Sequence, residues 1–201
     1  MAARTYHANR ASCDAGMTLI ELLVYMVLAV VVLLIVGGLL INSLTTQRTV
    51  RNATQASNAG QLVAQSVAQG VRNASALKVT APIFGGELLT VLTASMTTPQ
   101  TWSCQAWYFG SGEVRTKTSS TLIPTTAASV ANWTLLGTGM QSVSGGAVFT
   151  STPLVNPRSV ILNLDVSTVN GKPVRINSSS TSLQPLPVPV PVTGLVGLPC
   201  F

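Results

Sequence analysis

Few groups in the 201-residue chain can move a proton: one histidine, His7, and five acids, Asp14, Glu21, Glu87, Glu113 and Asp165. Paired-carboxylate or triad chemistry needs several such groups converging on one reacting atom. No two of these acids sit close in sequence, and no HExxH, GxSxG, GxGxxG or phosphate-loop pattern occurs. No catalytic residues, no enzymatic activity and no cofactor are expected. The cysteines are Cys13, Cys104 and Cys200, too few beside a single histidine for the four ligands of a structural zinc site. No metal site is expected. Lys and Arg number 11 against 5 acids, a net charge of +6, but they are scattered and form no basic stripe interleaved with aromatics. Nucleic acid contact is not indicated.

One of the five acids stands in unusual company. Glu21 immediately precedes Leu22–Ile41, a run of 20 uncharged residues of which 15 are Leu, Ile or Val. As a helix this run is about 30 Å long, enough to span a bilayer core. Its aliphatic residues favour insertion by about 5–9 kcal/mol in sum, while a carboxylate drawn toward the bilayer centre costs up to ~3 kcal/mol. The segment therefore enters lipid despite Glu21. The carboxylate is then either solvated by headgroups or paired with a cation inside an assembly. The preceding stretch carries Arg4 and Arg10 and has the look of a secretory signal. The apolar run exceeds the usual 7–15 residues of such signals and has no small-x-small cleavage site after it. It is expected to stay in the mature chain. Arg48 and Arg51 beyond it balance Arg4 and Arg10, so the positive-inside rule gives no orientation.

The segment Gly16-Met17-Thr18-Leu19-Ile20-Glu21, followed at once by the apolar run, resembles the N-terminal signature of type IV prepilins and of the pseudopilins of type II secretion. The resemblance implies a hydrophilic leader over residues 1–16, cut between Gly16 and Met17 by a prepilin peptidase that also N-methylates Met17. It further implies that Thr18, Leu19, Ile20 and Glu21 serve assembly, with Glu21 meeting the N-terminal amine of a neighbouring subunit. Met17 stands where that family more often has Phe, and Asp14 interrupts a leader that is usually basic. Gly37-Gly38 lies where related pilins lose helical order in the filament, so it is a candidate melting site. Two small residues that let helices approach closely are the other reading. With the leader gone, Cys13 goes too and Cys104 and Cys200 remain, an even count that predicts a disulfide outside the cytoplasm. Free thiols are the alternative.

The elements that follow divide the chain into a 17–41 transmembrane or filament-core helix, a 42–81 amphipathic extension and an 82–201 β-rich domain. Val63, Val67 and Val71 recur every four residues beside Ala56, Ala59, Leu62 and Ala64, one apolar stripe on a helix. The helix is expected to run from Met17 to about Leu77 and to stop before Pro82 and Gly85-Gly86, with Gly60 and Gly70 each weakening it by about 1 kcal/mol. A flexible linker is the alternative for its second half. Glu87–Thr93 reads as a strand. Cys104–Phe109 and Glu113–Thr118 read as a hairpin around a three-residue Gly110-Ser111-Gly112 loop. Val160, Leu162, Leu164 and Val166 alternate with Ser159, Ile161, Asn163 and Asp165, which gives a strand with one wholly apolar face. Asn170-Gly171 is expected to form a type I′ turn leading to Val174 and Ile176. Trp133, Leu135, Val143 and Phe149 are expected between sheet and helix. The tract Gln184–Leu195 is polyproline-like, an extended strap.

The expected fold class is α+β, a long N-terminal helix packed on a small antiparallel sheet domain. The resemblance implies a structural subunit, a minor pilin or pseudopilin, of a type IV pilus or type II secretion-like filament. The Trp133, Val143 and Phe149 spacing resembles W-type minor pilins and J-type pseudopilins. The subunit would wait as a single-pass protein in the bacterial cytoplasmic membrane, its C-terminal domain outside the cytoplasm, surrounded by lipid before it joins other pilins or pseudopilins. A major pilin is the second reading. An uncleaved membrane-anchored surface binding module is the rival from another class.

Overall fold

A computed structural model describes residues 18–83, 85–94, 101–169, 171–185 and 200–201, with residues 81–83 described for the backbone alone. The chain divides into two compact units between Gln47 and Arg48. Helix α1, Leu19–Arg72, contains 54 residues and belongs to both. In the first unit every apolar side chain from Leu22 to Ile35 is exposed. Past the apolar run, Thr45 and Thr46 donate to the Asn42 carbonyl at 2.8 and 2.9 Å and Thr54 donates to the Val50 carbonyl at 2.9 Å. Those back-bonds satisfy β-branched polar residues that otherwise favour other conformations, so the polar extension is helix rather than linker.

In the second unit α1 buries Ala56, Gly60, Val63, Val67, Gly70 and Val71, the stripe that the spacing predicts. Five strands form an antiparallel meander: β1 (Ala74–Ile83), β2 (Gly86–Ala94), β3 (Trp102–Gly110), β4 (Glu113–Ser119) and β5 (Thr134–Thr138). A short helix α2, Ala127–Ala131, lies between β4 and β5, capped by the Thr126 hydroxyl. The second sheet contains β6 (Met140–Ser142), β7 (Phe149–Thr152), β8 (Ser159–Val166) and β9 (Val174–Thr181). β9 pairs along the whole of β8, while β6 and β7 pair with its two halves. The α1 stripe shares one core with Leu77, Leu89, Trp107 and Val114 of the first sheet and Phe149, Val160, Leu162 and Leu164 of the second. A second core on the other face of the meander gathers Leu88, Leu92, Tyr108, Val130, Trp133 and the Cys104–Cys200 disulfide. The class is α+β, as expected.

Several local expectations are corrected. The helix stops at Arg72, not near Leu77, and residues 74–81 belong to strand β1 rather than to an amphipathic helix. Leu77 and Lys78 pair with Val91 and Thr90 of β2, and the Arg72 carbonyl accepts from Leu183 N–H at 3.1 Å. The sheet thus offers this segment a full ladder of partners that the helix lacks. Pro82 sits within β1, an edge strand where a missing N–H is tolerated. The β3–β4 loop has two residues, not three, because Gly110 pairs with Glu113. Ser111 and Gly112 have φ of 53° and 78°, the left-handed pair of a type I′ turn. Leu135 is 44% exposed, and Trp133 lies in the second core rather than against the helix. Val143 is half-buried in a 3-10 turn, Val143–Gly145; of the four expected core residues Phe149 alone packs in the α1 core. Val166 already faces Val174, so a longer connection replaces the two-residue hairpin expected at Asn170-Gly171, and Asn170 lies outside the described residues. So does the strap beyond Pro185 as far as Pro199.

Gly60 and Gly70 have a packing reason that outweighs their helix cost. A Cβ at Gly70 would stand 2.0 Å from the Trp107 ring, and one at Gly60 would stand 2.5 Å from Ile176. The Trp107 indole N–H donates to Ser66 Oγ at 2.9 Å, one turn before Gly70. Gly70→Ala gains about 1 kcal/mol of helix propensity but overpacks a filled core, which costs about 1–3 kcal/mol or more. Net destabilisation of the sheet domain is expected, read as a lower urea midpoint. Gly37→Ala, where an added Cβ meets nothing within 4 Å, should leave that midpoint unchanged.

Candidate assembly site

The start of α1 is built by its own sequence. Thr18 O accepts from Glu21 N–H at 3.0 Å and from Leu22 N–H at 3.2 Å, and Thr18 Oγ1 lies 3.4 Å from the same Glu21 N–H. Thr18 therefore caps the helix and satisfies amides that have no intrahelical acceptor. Thr-x-x-Glu is the spacing of a capping box, a signal legible in the sequence but not used there. Glu21 falls in the first turn, where the helix dipole favours a negative charge. Tyr25, one turn on, donates its hydroxyl to Glu21 Oε1 at 3.4 Å, a partner the sequence reading missed although i and i+4 share a helix face. Leu19 and Ile20 are exposed, as is the apolar surface that follows. Gly37 and Gly38 lie inside continuous helix. Gly16 and Met17 lie outside the described residues.

The other described acids have structural work. The Glu87 carboxylate accepts from the Val148 and Phe149 amides at 2.8–2.9 Å and fixes the start of β7 against β2. Glu113 and Arg115 pair at 2.7 Å, and the same guanidinium donates to the Ala131 and Trp133 carbonyls. Asp165 and Arg175 face each other across β8 and β9 in a two-bond pair at 3.0 and 3.2 Å. Hydrogen bonding from that guanidinium holds the Asp165 carboxyl below the usual carboxylate range. These three carboxylates are each engaged with partners of their own. Glu21 differs: among the described residues neither of the two ion pairs includes it.

Cys104 and Cys200 are joined, Cα atoms 5.5 Å apart, across 96 residues. The expected disulfide is present, and both cysteines are buried in the second core.

Residues 12–37 match the family model described as the prokaryotic N-terminal methylation motif. The chain carries a type IV prepilin-like signal. No curated protein and no solved structure matches it. The motif supports a type IV pilin-like precursor, and it implies processing by a prepilin peptidase and assembly with other pilins. It also points to a structural rather than an enzymatic protein. The motif ends at Gly37, within the one stretch of α1 long and apolar enough to cross a membrane. A membrane-anchored, single-pass protein fits that arrangement.

Proposed function

We propose that this pilin-like precursor is a structural subunit of a type IV pilus or type II secretion-like filament, entering it as a minor pilin or pseudopilin. The observation that carries the reading is Glu21: a carboxylate in the first turn of a helix whose apolar side chains from Leu22 to Ile35 are exposed, inside the methylation motif, with no cation beside it among the described residues. Cleavage after Gly16 creates a positive amine on Met17, which becomes methylated, and that amine is the cation an incoming subunit brings to Glu21. Thr18 keeps the helix start ordered for the exchange, and Leu19 and Ile20 pack against neighbouring helices. Before assembly the helix rests in the cytoplasmic membrane with the sheet domain outside, where the Cys104–Cys200 bond is chemically at home. On assembly the helix opens locally at Gly37-Gly38, where two glycines lower its intrinsic stability by about 1 kcal/mol each relative to Ala.

The test is the mass of the N-terminal peptide from membrane-extracted protein. The expected species begins at Met17 and carries a methyl group on its amine. Gly16→Val places a β-branched side chain where the peptidase must approach the backbone closely. This variant is expected to accumulate as full-length precursor on gels, and normal processing of it would remove Gly16-Met17 as the cleavage site. A wild-type chain that retains Met1 would replace this reading with an uncleaved, membrane-anchored surface module.

A further inference from the structure

The C-terminal end of α1 carries three polar residues on one face. Ser66, Gln69 and Asn73 stand at i, i+3 and i+7, and Asn73 N–H donates to the Gln69 carbonyl at 3.2 Å, which closes the helix. Together with β2, β3 and Gln184 this face lines an open cleft of about 410 Å³, within the usual size range of small-molecule sites. From the sheet come Thr93, near the end of β2, and Gln105, which pairs with Val91 of β2 and Thr118 of β4. Gln184 is placed by its backbone. Its carbonyl accepts from the Arg158 guanidinium and, at 3.5 Å, from Ser182 Oγ.

The polar groups of the cleft are oriented, and most of them are unused. The buried Trp107 indole donates to Ser66 Oγ at 2.9 Å, which fixes that oxygen and leaves the hydroxyl proton to donate elsewhere. Thr93 donates its hydroxyl to the Ser103 carbonyl at 3.1 Å and keeps its lone pairs as acceptors. The carboxamides of Gln69, Asn73, Gln105 and Gln184 have no hydrogen-bond partner among the described residues. None of the described lining residues is charged, although the chain has a net charge of +6. Only Gly70 and Ala94 among them lack a polar side-chain atom.

We propose that this cleft binds a neutral saccharide. A carboxamide offers two donors and a carbonyl acceptor in one plane, the set that pairs with neighbouring hydroxyls, each of which both donates and accepts. Four such groups, with the Ser66 and Thr93 hydroxyls, suit a compact ring that carries hydroxyls around its rim. Other ligand classes find no counterpart in the described lining. A phosphate or carboxylate meets no cation, an amine meets no carboxylate, and an acyl chain or apolar peptide anchor meets no apolar pocket. The site belongs to the sheet domain and does not rest on the reading of the chain as a filament subunit.

The test is a printed array of neutral, sialylated and sulfated glycans, probed with the full chain in a detergent that has no sugar headgroup. At least one neutral glycan should bind, and calorimetric titration with that glycan gives its Kd. Gln69→Ala and Gln105→Ala each remove one hydrogen-bonding group from the cleft, and each should raise Kd about 3–10-fold. The double variant should raise it about 10–100-fold. Gln69 is exposed, so Gln69→Ala should unfold thermally like wild type and carries the test by itself if Gln105→Ala misfolds. Gln141→Ala, on β6 and outside the cleft, should bind like wild type. An array without a neutral binder, tighter binding of the anionic glycans, or an unchanged Kd in Gln69→Ala overturns the site.

Discussion

Cys200→Ser is expected to lower the stability of the sheet domain by about 2–5 kcal/mol, the usual loss when a native disulfide is removed from a small exported domain. The bond spans 96 residues, nearly half the chain. In the chain-entropy account a loop of this size restrains the unfolded state by up to about 4.7 kcal/mol. A folded-state loss adds to it, because Cys200 and Phe201 pack on the second core beside Leu92, Trp133 and Cys104. Without the bond nothing covalent returns the chain terminus to β3. Cys104→Ser should cost about as much as Cys200→Ser, and the double variant little more than either, since all three remove one bond. The measurement is the urea midpoint with and without reductant. Wild type under reductant should fall to the level of the variants, and equal midpoints for oxidised wild type and Cys200→Ser would show that the bond contributes nothing.

The parts legible in the sequence share one property: their signals are local. The apolar run of α1, the Val63, Val67 and Val71 stripe, the alternation in β8 and the β3–β4 hairpin, though not its loop length, each show within about ten residues of chain. The helix start at the proposed assembly site is the extreme case, since Thr18, Leu19, Ile20 and Glu21 are consecutive and Thr18 caps the turn that holds them. What failed needed a partner far away in sequence. Ala74, Ala76 and Leu77 fit a helical period and a strand equally well, and only the ladder to Leu92 and Val91 decides between them. Trp107 fills the α1 core because Gly70 leaves room for its ring, a match between positions that no window contains. Hydrophobicity alone places Leu135 and Trp133 in one core, but the meander has two faces, and Trp133 packs with the disulfide on the face away from α1. The job of Glu87, holding the amides of Val148 and Phe149, was invisible for the same reason.

Glu21→Val should enter the membrane at least as well as wild type and fail at the next step. Removing the carboxylate relieves a cost of up to ~3 kcal/mol for a charge drawn into lipid, and valine adds a further favourable insertion term of a few tenths of a kcal/mol. Thr18 still accepts through its carbonyl and hydroxyl, because those bonds use the backbone N–H of residue 21, so the helix start survives. Leader removal is therefore expected to be unchanged. Recruitment is different. In the proposed assembly the Met17 amine of one subunit would pair with Glu21 of the next at the edge of an apolar environment, where leaving either charge alone costs several kcal/mol. That penalty selects the axial register in which the two meet. With valine the incoming amine has no counter-charge, and sliding by one turn loses nothing. Co-purification with partner pilins and the assembled fraction should both fall sharply. The Tyr25 hydroxyl supplies Glu21 with a single neutral hydrogen bond in the monomer, so Tyr25→Phe should assemble nearly as well as wild type and serves as the control for altering this helix face. If Glu21→Val copurifies with its neighbours like wild type, Glu21 is a tolerated interfacial charge and register is set by helix packing alone.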